Sequence, residues 1–309
     1  MTDASHDADA EDAIVDGGAG SDDAITDGAT GSGSGDEGST GSGDGRRVPW
    51  VVDADWLATH AADPDVSVVD VRDAWEYDGI GHVPEAVNVP FDSFRSDGDD
   101  DVGMLPGADR WAQVMRDAGV ARDDVLVAYD DTHGVFAARF LVTALMYGHR
   151  DVALLDGDYA AYNRDHPTTT DAPDAAATDY EASVPDDRPL IDADAVAALL
   201  DGDRDSVVFV DTRDDGEYED GHLPGAVNLD WKALVDDETR GLLPEPELHA
   251  ILDAHGITSE KRVALYCNTA RRISHTYVVL RDLGYDRVDF FEGSLTEWRD
   301  RDGALETGD

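Results

Sequence analysis

Between residues 207 and 293 short apolar runs alternate with longer amphipathic stretches. Residues 207–211 (VVFVD), 263–267 (VALYC) and 287–293 (RVDFFEG) are rich in β-branched and aromatic side chains, which predicts strands. Residues 246–256 (PELHAILDAHG) predict a helix closed by Gly256. In 272–284 (RISHTYVVLRDLG), Ile273, Tyr277, Leu280 and Leu283 recur at three- and four-residue steps, the spacing of one helix face. Strands that alternate with helices predict an α/β fold with a mostly parallel sheet. Ligands of such sheets bind beyond the carboxyl ends of the strands, and Cys267 stands at that end of its strand.

The pattern occurs twice. Residues 68–91 (VVDVRDAWEYDGIGHVPEAVNVPF) match 208–230 (VFVDTRDDGEYEDGHLPGAVNLD) through D-x-R-D, E-Y, G-H, a proline and A-V-N. Residues 125–162 match 263–298 through a strand ending in Tyr, a polar loop, a helix, another strand, then D/E-G and an aromatic. The expected organisation is therefore two domains, 46–163 and 188–301, joined by a polar, proline-bearing linker at 164–187 and followed by a tail at 302–309. Residues 1–45 are Gly, Ser, Asp and Ala with little aliphatic content, and a disordered acidic tail is expected there.

Charge narrows the function classes. Seventy acidic residues against 23 basic ones give a formal net charge of −47, and only Lys232 and Lys261 are lysines. The tail holds 12 of the acids, so most of the excess lies in the body. The expectation is adaptation to high internal salt, where the screening length falls to roughly 3 Å and self-repulsion of an acidic surface is tolerated. No basic patch is available for phosphates, which excludes nucleic acid as a partner. The apolar runs are too short for a bilayer, and the acidic start has no secretory character, so a cytoplasmic protein without membrane contact is expected. One cysteine excludes an internal disulfide, and the acidic runs lack calcium-loop spacing, so no metal is expected.

Cys267 carries the candidate chemistry. The run CNTARR connects a strand to a helix, where successive backbone N–H groups can converge on an anion. The amides of Asn268, Thr269 and Ala270, with Arg271 and Arg272, would stabilise a thiolate and hold an anionic substrate above it. The repeat argues against a packing role. Tyr129, the counterpart of Tyr266, is followed by Asp130 and a loop without arginine, and an aspartate is poorly tolerated in a core. One working copy and one non-working copy are expected. His82 and His222 occur in both halves and read as structural; so does Arg72. Trp231 and Lys232 are expected at the pocket rim, and His275 in packing or capping.

The duplicated D-x-R…E-Y…G-H-x-P-x-A-V-N pattern, with the cysteine loop in the second half alone, resembles the tandem-domain rhodanese sulfurtransferases over about residues 48–300. The run C-x-x-x-x-R-x-S-H-T is similar to the thiosulfate sulfurtransferase branch, and C-G-S-G-V-T, typical of the mercaptopyruvate branch, is absent. The resemblance implies two rhodanese-like α/β domains, each a mostly parallel sheet flanked by helices. It implies transfer of sulfane sulfur from thiosulfate to cyanide or a thiol through a persulfide on Cys267, with Arg213 and Arg272 binding substrate. It implies a monomer with no metal or organic cofactor. Alternatives are 3-mercaptopyruvate as donor and a non-enzymatic sulfur carrier. A cysteine phosphatase would need its C-x5-R arginine at position 273, which is Ile. If the acidic body reflects adaptation to salt, the thermal midpoint should rise steeply from dilute buffer to molar potassium chloride; a flat or falling midpoint would remove that reading.

Overall fold

A computed structural model describes residues 45–308 apart from 97 and 99–102. The expected tail, Gly45 excepted, lies outside the described residues. The first half runs β1 (Val51–Val52), α1 (Ala54–His60), β2 (Val66–Asp70), α2 (Ala74–Gly79), β3 (Val87–Asn88), α3 (Ala108–Asp117), β4 (Val125–Tyr129), α4 (Val135–Met146), β5 (Val152–Leu155) and α5 (Asp158–Asp165). The second repeats it as β6 (Leu190–Ile191), α6 (Ala193–Leu200), β7 (Val207–Asp211), α7 (Asp215–Asp220), β8 (Val227–Asn228), α8 (Glu245–Ala254), β9 (Arg262–Tyr266), α9 (Arg271–Asp282), β10 (Val288–Phe291) and α10 (Ser294–Asp300). Among the described residues each half forms a five-stranded sheet, ordered β1-β5-β4-β2-β3 and β6-β10-β9-β7-β8, with every strand parallel to its neighbours. No helix among these residues is long and apolar enough to cross a membrane.

The central strands β4 and β9 are buried on both faces, hence the unbroken runs VLVAY and VALY. One face of each sheet has its own core, around Leu57 and Val127 in the first half and Phe209 and Leu295 in the second. The other faces share a core in which α4 and α9 pack against each other. That is why α4 is apolar nearly all round. Trp50 meets Tyr277 edge-on at 6.1 Å across this junction.

The connection between the halves is more than a polar spacer. Tyr180 is fully buried near Trp111 and His149, Thr178 donates to the Val120 carbonyl, and Thr169 pairs with His82 as an antiparallel bridge. The expected C-terminal tail repeats the last contact, because Glu306 pairs with His222 in the same way. Both segments therefore belong to the edges of their domains. A lone aromatic within a polar stretch is the sequence trace of this in the linker.

Polar links cross the junction as well. Arg240 forks onto the buried Asp158 carboxylate at 3.0 and 2.9 Å and donates to the Asp131 carbonyl at 3.0 Å. Leu242 N–H donates to Asp156, and Arg139 pairs with Glu292 at 2.6 Å. Removing Arg240 strips a wholly buried carboxylate of its charge partner. Arg240→Ala should lower the unfolding free energy by roughly 2–3 kcal/mol, near the lower end for breaking a buried pair because the arginine is itself partly in water. Denaturant unfolding measures this, and a change below about 0.5 kcal/mol, typical of surface sites, would show that the clasp is dispensable.

Candidate active site

The loop after β4 and the loop after β9 begin from the same place and differ in length. Residues 130–134 (DDTHG) connect β4 to α4, whereas 267–270 (CNTA) connect β9 to α9. Each ends in a left-handed residue, Gly134 at φ 81° and Ala270 at φ 69°. Glycine adopts this conformation freely, while an alanine there costs roughly 1–2 kcal/mol. Arg271 and Arg272 form the first turn of α9, where the helix N-terminus favours negative charge.

The first-half loop shows what its geometry is built to hold. The buried Asp130 carboxylate accepts N–H bonds from Thr132 (2.6 Å), Gly134 (2.9 Å), Phe136 (2.7 Å) and Ala137 (2.9 Å). Burial pushes its pKa above the ordinary carboxylate value, and these four amides oppose that rise. Cys267 occupies the same position at the end of β9. The corresponding amides, of Thr269, Ala270, Arg272 and Ile273, have no protein acceptor among the described residues. The cradle that Asp130 fills with its own carboxylate thus has a cysteine at the same chain position in the second half. Cys267 is 2% exposed and packs into the core that the two halves share. Its backbone is fixed from α10: its N–H donates to Ser294 Oγ at 3.1 Å, and its carbonyl accepts from Leu295 N–H at 3.1 Å.

The expected site residues divide into two groups. Asn268 and Arg272 are brought together with Cys267. Asn268 Nδ2 donates to Glu217 Oε1 at 2.6 Å, and Arg272 Nη1 donates to Glu217 Oε2. Burial opposes the Arg272 charge, but the Glu217 pairing and the neighbouring Cys267 outweigh it and raise the pKa. Arg271 lies over the Phe136 ring at 4.8 Å. Trp231 and Lys232 line a cavity of about 240 Å³ with Arg271 and Arg272, and Thr132, Val135 and Phe136 of the first half close its other wall.

Arg213, expected to bind substrate, is buried and paired with Asp211. Its Nε and Nη2 fork onto Asp211, with closest contacts of 2.9 and 2.6 Å, and Nη2 also donates to the Gly221 carbonyl at 2.7 Å. Arg72 makes the same bonds to Asp70 and Gly81 in the half without a cysteine. The pairing is therefore a device of the fold that holds a strand end to the following turn. Burial works against the Arg213 charge, and Asp211 outweighs it, so its pKa stands above the ordinary value. His82 and His222 stack on Tyr77 and Tyr218 at 3.7 Å and bond to their carbonyls. His275 is fully buried against Trp231 at 5.1 Å, neither ring nitrogen has a hydrogen-bond partner among the described residues, and burial lowers its pKa to about 3. It stays neutral and inside the packing.

Three contributors were not singled out from the sequence: Glu217, Ser294 and the Thr132–Phe136 wall. Glu217 and Ser294 sit in segments that the repeat had already aligned, so the repeat itself was the signal. The wall is supplied by the other half, which local pattern does not reveal.

The model of the rhodanese-like domain matches the chain twice, at residues 53–165 and 192–301. The chain belongs to the rhodanese family of sulfurtransferases. It is 32% identical over 270 residues to a Mycobacterium bovis protein named "Putative thiosulfate sulfurtransferase SseA", covering 80% of this chain and 87% of that one. It is 30% identical over 269 residues to the sulfur carrier protein TtuD of Thermus thermophilus, covering 80% and 93%. Among solved structures it resembles SseA of Escherichia coli, described as a 3-mercaptopyruvate sulfotransferase, at 25% identity and a TM-score of 0.72, covering 80% and 99%.

The matched pairs Asp70–Arg72 and Asp211–Arg213 make a paired test of the Arg213 assignment. Arg72→Ala and Arg213→Ala should each destabilise the rhodanese body by about 3–5 kcal/mol in denaturant, since each leaves a buried carboxylate uncompensated. A large loss of donor affinity in Arg213→Ala without loss of stability would return that residue to the substrate site.

Proposed function

We propose that the protein moves sulfane sulfur from thiosulfate to a thiophilic acceptor, cyanide or a thiol, through a persulfide on Cys267. The observation that carries this reading is the amide cradle, filled by a carboxylate in one half and left to a cysteine in the other. The Cys267 thiolate attacks the outer sulfur of thiosulfate, a sulfur–sulfur bond forms, and the bond to the sulfonyl sulfur breaks. Sulfite leaves with the electron pair. The loop amides and Arg272 hold the anion as its charge moves. Cyanide then attacks the outer persulfide sulfur, thiocyanate leaves and the thiolate is restored. Each step exchanges one sulfur for one electron pair, so the balance needs no metal or redox cofactor. Burial of Cys267 shields the persulfide from oxidation.

A second reading takes 3-mercaptopyruvate as the donor, and the likeness to SseA of Escherichia coli favours it. There the thiolate attacks the donor thiol sulfur, the carbon–sulfur bond breaks, and the displaced carbanion takes up the thiol proton as pyruvate. The name of the Thermus relative favours a carrier that hands sulfur to a partner, in which case the persulfide forms but small acceptors discharge it poorly.

Incubation with thiosulfate in concentrated salt should add one sulfur atom to Cys267, read by intact mass, and cyanide should then release thiocyanate. Cys267→Ser should abolish both. Thiocyanate formation by Cys267→Ser would overturn the mechanism, and pyruvate release with no response to thiosulfate would move the donor to the second reading.

A further inference from the structure

The carboxylate that reaches the cysteine loop comes from another element. Glu217 lies in the first turn of α7, yet its two oxygens meet Asn268 and Arg272. Its counterpart, Glu76, behaves differently. Glu76 Oε2 accepts the Asp73 N–H at 3.2 Å, closing a capping box on its own helix. In the second half Asp214 still caps α7, accepting the Glu217 N–H at 2.9 Å, while the Glu217 side chain is turned to the loop. The helix does not require that turn.

Its effect is on the charge a donor meets. Lys232, Arg271 and Arg272 line the cavity beside the loop, and Asp214 and Asp230 line it with them. Glu217 adds a third carboxylate, held on Arg272. Three cations are thus matched by three anions, although the loop taken alone reads as an anion trap. The Arg272–Glu217 pair is only about a quarter exposed, so salt screens it weakly.

We propose that Glu217 is the donor-selecting residue of this site. Its carboxylate is paired with Arg272, and an anionic donor must bind against it. The Coulomb penalty is proportional to donor charge. A dianion such as thiosulfate is therefore disfavoured about twice as strongly, on a logarithmic scale, as a monoanion such as 3-mercaptopyruvate. This rests on sulfur transfer through Cys267, and it adds that the ranking of donors is set from α7.

The test is Glu217→Gln, which keeps the shape and a hydrogen-bond acceptor while removing the charge. KM for thiosulfate should fall about tenfold and KM for 3-mercaptopyruvate about threefold, in keeping with proportionality to charge, with kcat nearly unchanged. Glu76→Gln, the matched change in the other half, should move neither. A binding arm separates recognition from turnover. In a Cys267→Ser background, calorimetry should show thiosulfate binding tightened about tenfold by Glu217→Gln, again by removal of one like charge. If KM for both donors rises or stays level while kcat falls, Glu217 is only a strut for Arg272 and the proposal is wrong. Equal KM changes for the two donors would also overturn it. If the unsubstituted protein takes sulfur from neither donor while binding still responds to Glu217→Gln, the transfer reading fails and charge selection stands.

Discussion

A strand that turns sharply into a buried helix leaves several backbone N–H groups directed into one small volume, and a negative group must answer them. That requirement governs both halves of the molecule. After β4 the chain answers it with Asp130, whose carboxylate takes four amides. After β9 it places Cys267 there, with one residue fewer in the loop and an alanine forced into a left-handed conformation. The strain at Ala270 and the amides that have no protein acceptor among the described residues share one origin. Strain of this kind is characteristic of working sites, and it supports the proposed role of the loop in holding an anionic donor. Everything else in the second half holds that loop still: Ser294 and Leu295 pin the cysteine backbone, and Glu217 fixes Asn268 and Arg272.

Much of this was legible in the chain. Duplication exposed the element order, and the difference between DDTHG and CNTA isolated the cysteine as the changed chemistry. The family resemblance pointed to Arg213 as a substrate ligand, and the structure adds that its guanidinium is paired with Asp211. Just past each strand end the chain bends so that the arginine's own N–H and its guanidinium both reach the carboxylate two residues back, Asp211 for Arg213 and Asp70 for Arg72. The presence of the same pair in the half without a cysteine carried that information. The repeat aligned Glu217 with Glu76 but did not reveal its partners. Fifty positions separate it from the loop, and only the parallel order β9-β7 brings the two C-terminal strand edges side by side. The missing loop residue was hidden because the strand and helix on either side align so well.

The half without a cysteine also contributes to the site. Thr132, Val135 and Phe136 come from its loop and from α4, and they close the cavity that Arg271 and Arg272 open. Those residues are held in place by Asp130 within the loop and by Arg240 from the second half, which also binds Asp131 and Asp158. A mutation that loosened the first half would therefore reach the site through its wall. The shared core has the same consequence, since α4 and α9 stabilise each other and α9 carries both loop arginines.

The acidic composition makes the placement of cations informative. With 23 basic residues against 70 acidic ones, a surface pair is easily formed, worth about 0–1 kcal/mol, and readily replaced. The cations inside are another matter. Arg72, Arg139, Arg213 and Arg240 each meet a carboxylate that is buried or nearly so, and three of them fork onto it through two nitrogens. Lysine has no planar fork and would leave part of each carboxylate unanswered. That accounts for arginine rather than lysine at these interior pairs. Arg272 fits the same rule, with Glu217 as its partner, but it differs in lying beside an open cavity. An acidic protein can afford a cation in its active site only if the cation is either matched or shielded. In this molecule it is matched, and the matching carboxylate then becomes part of what any donor must meet.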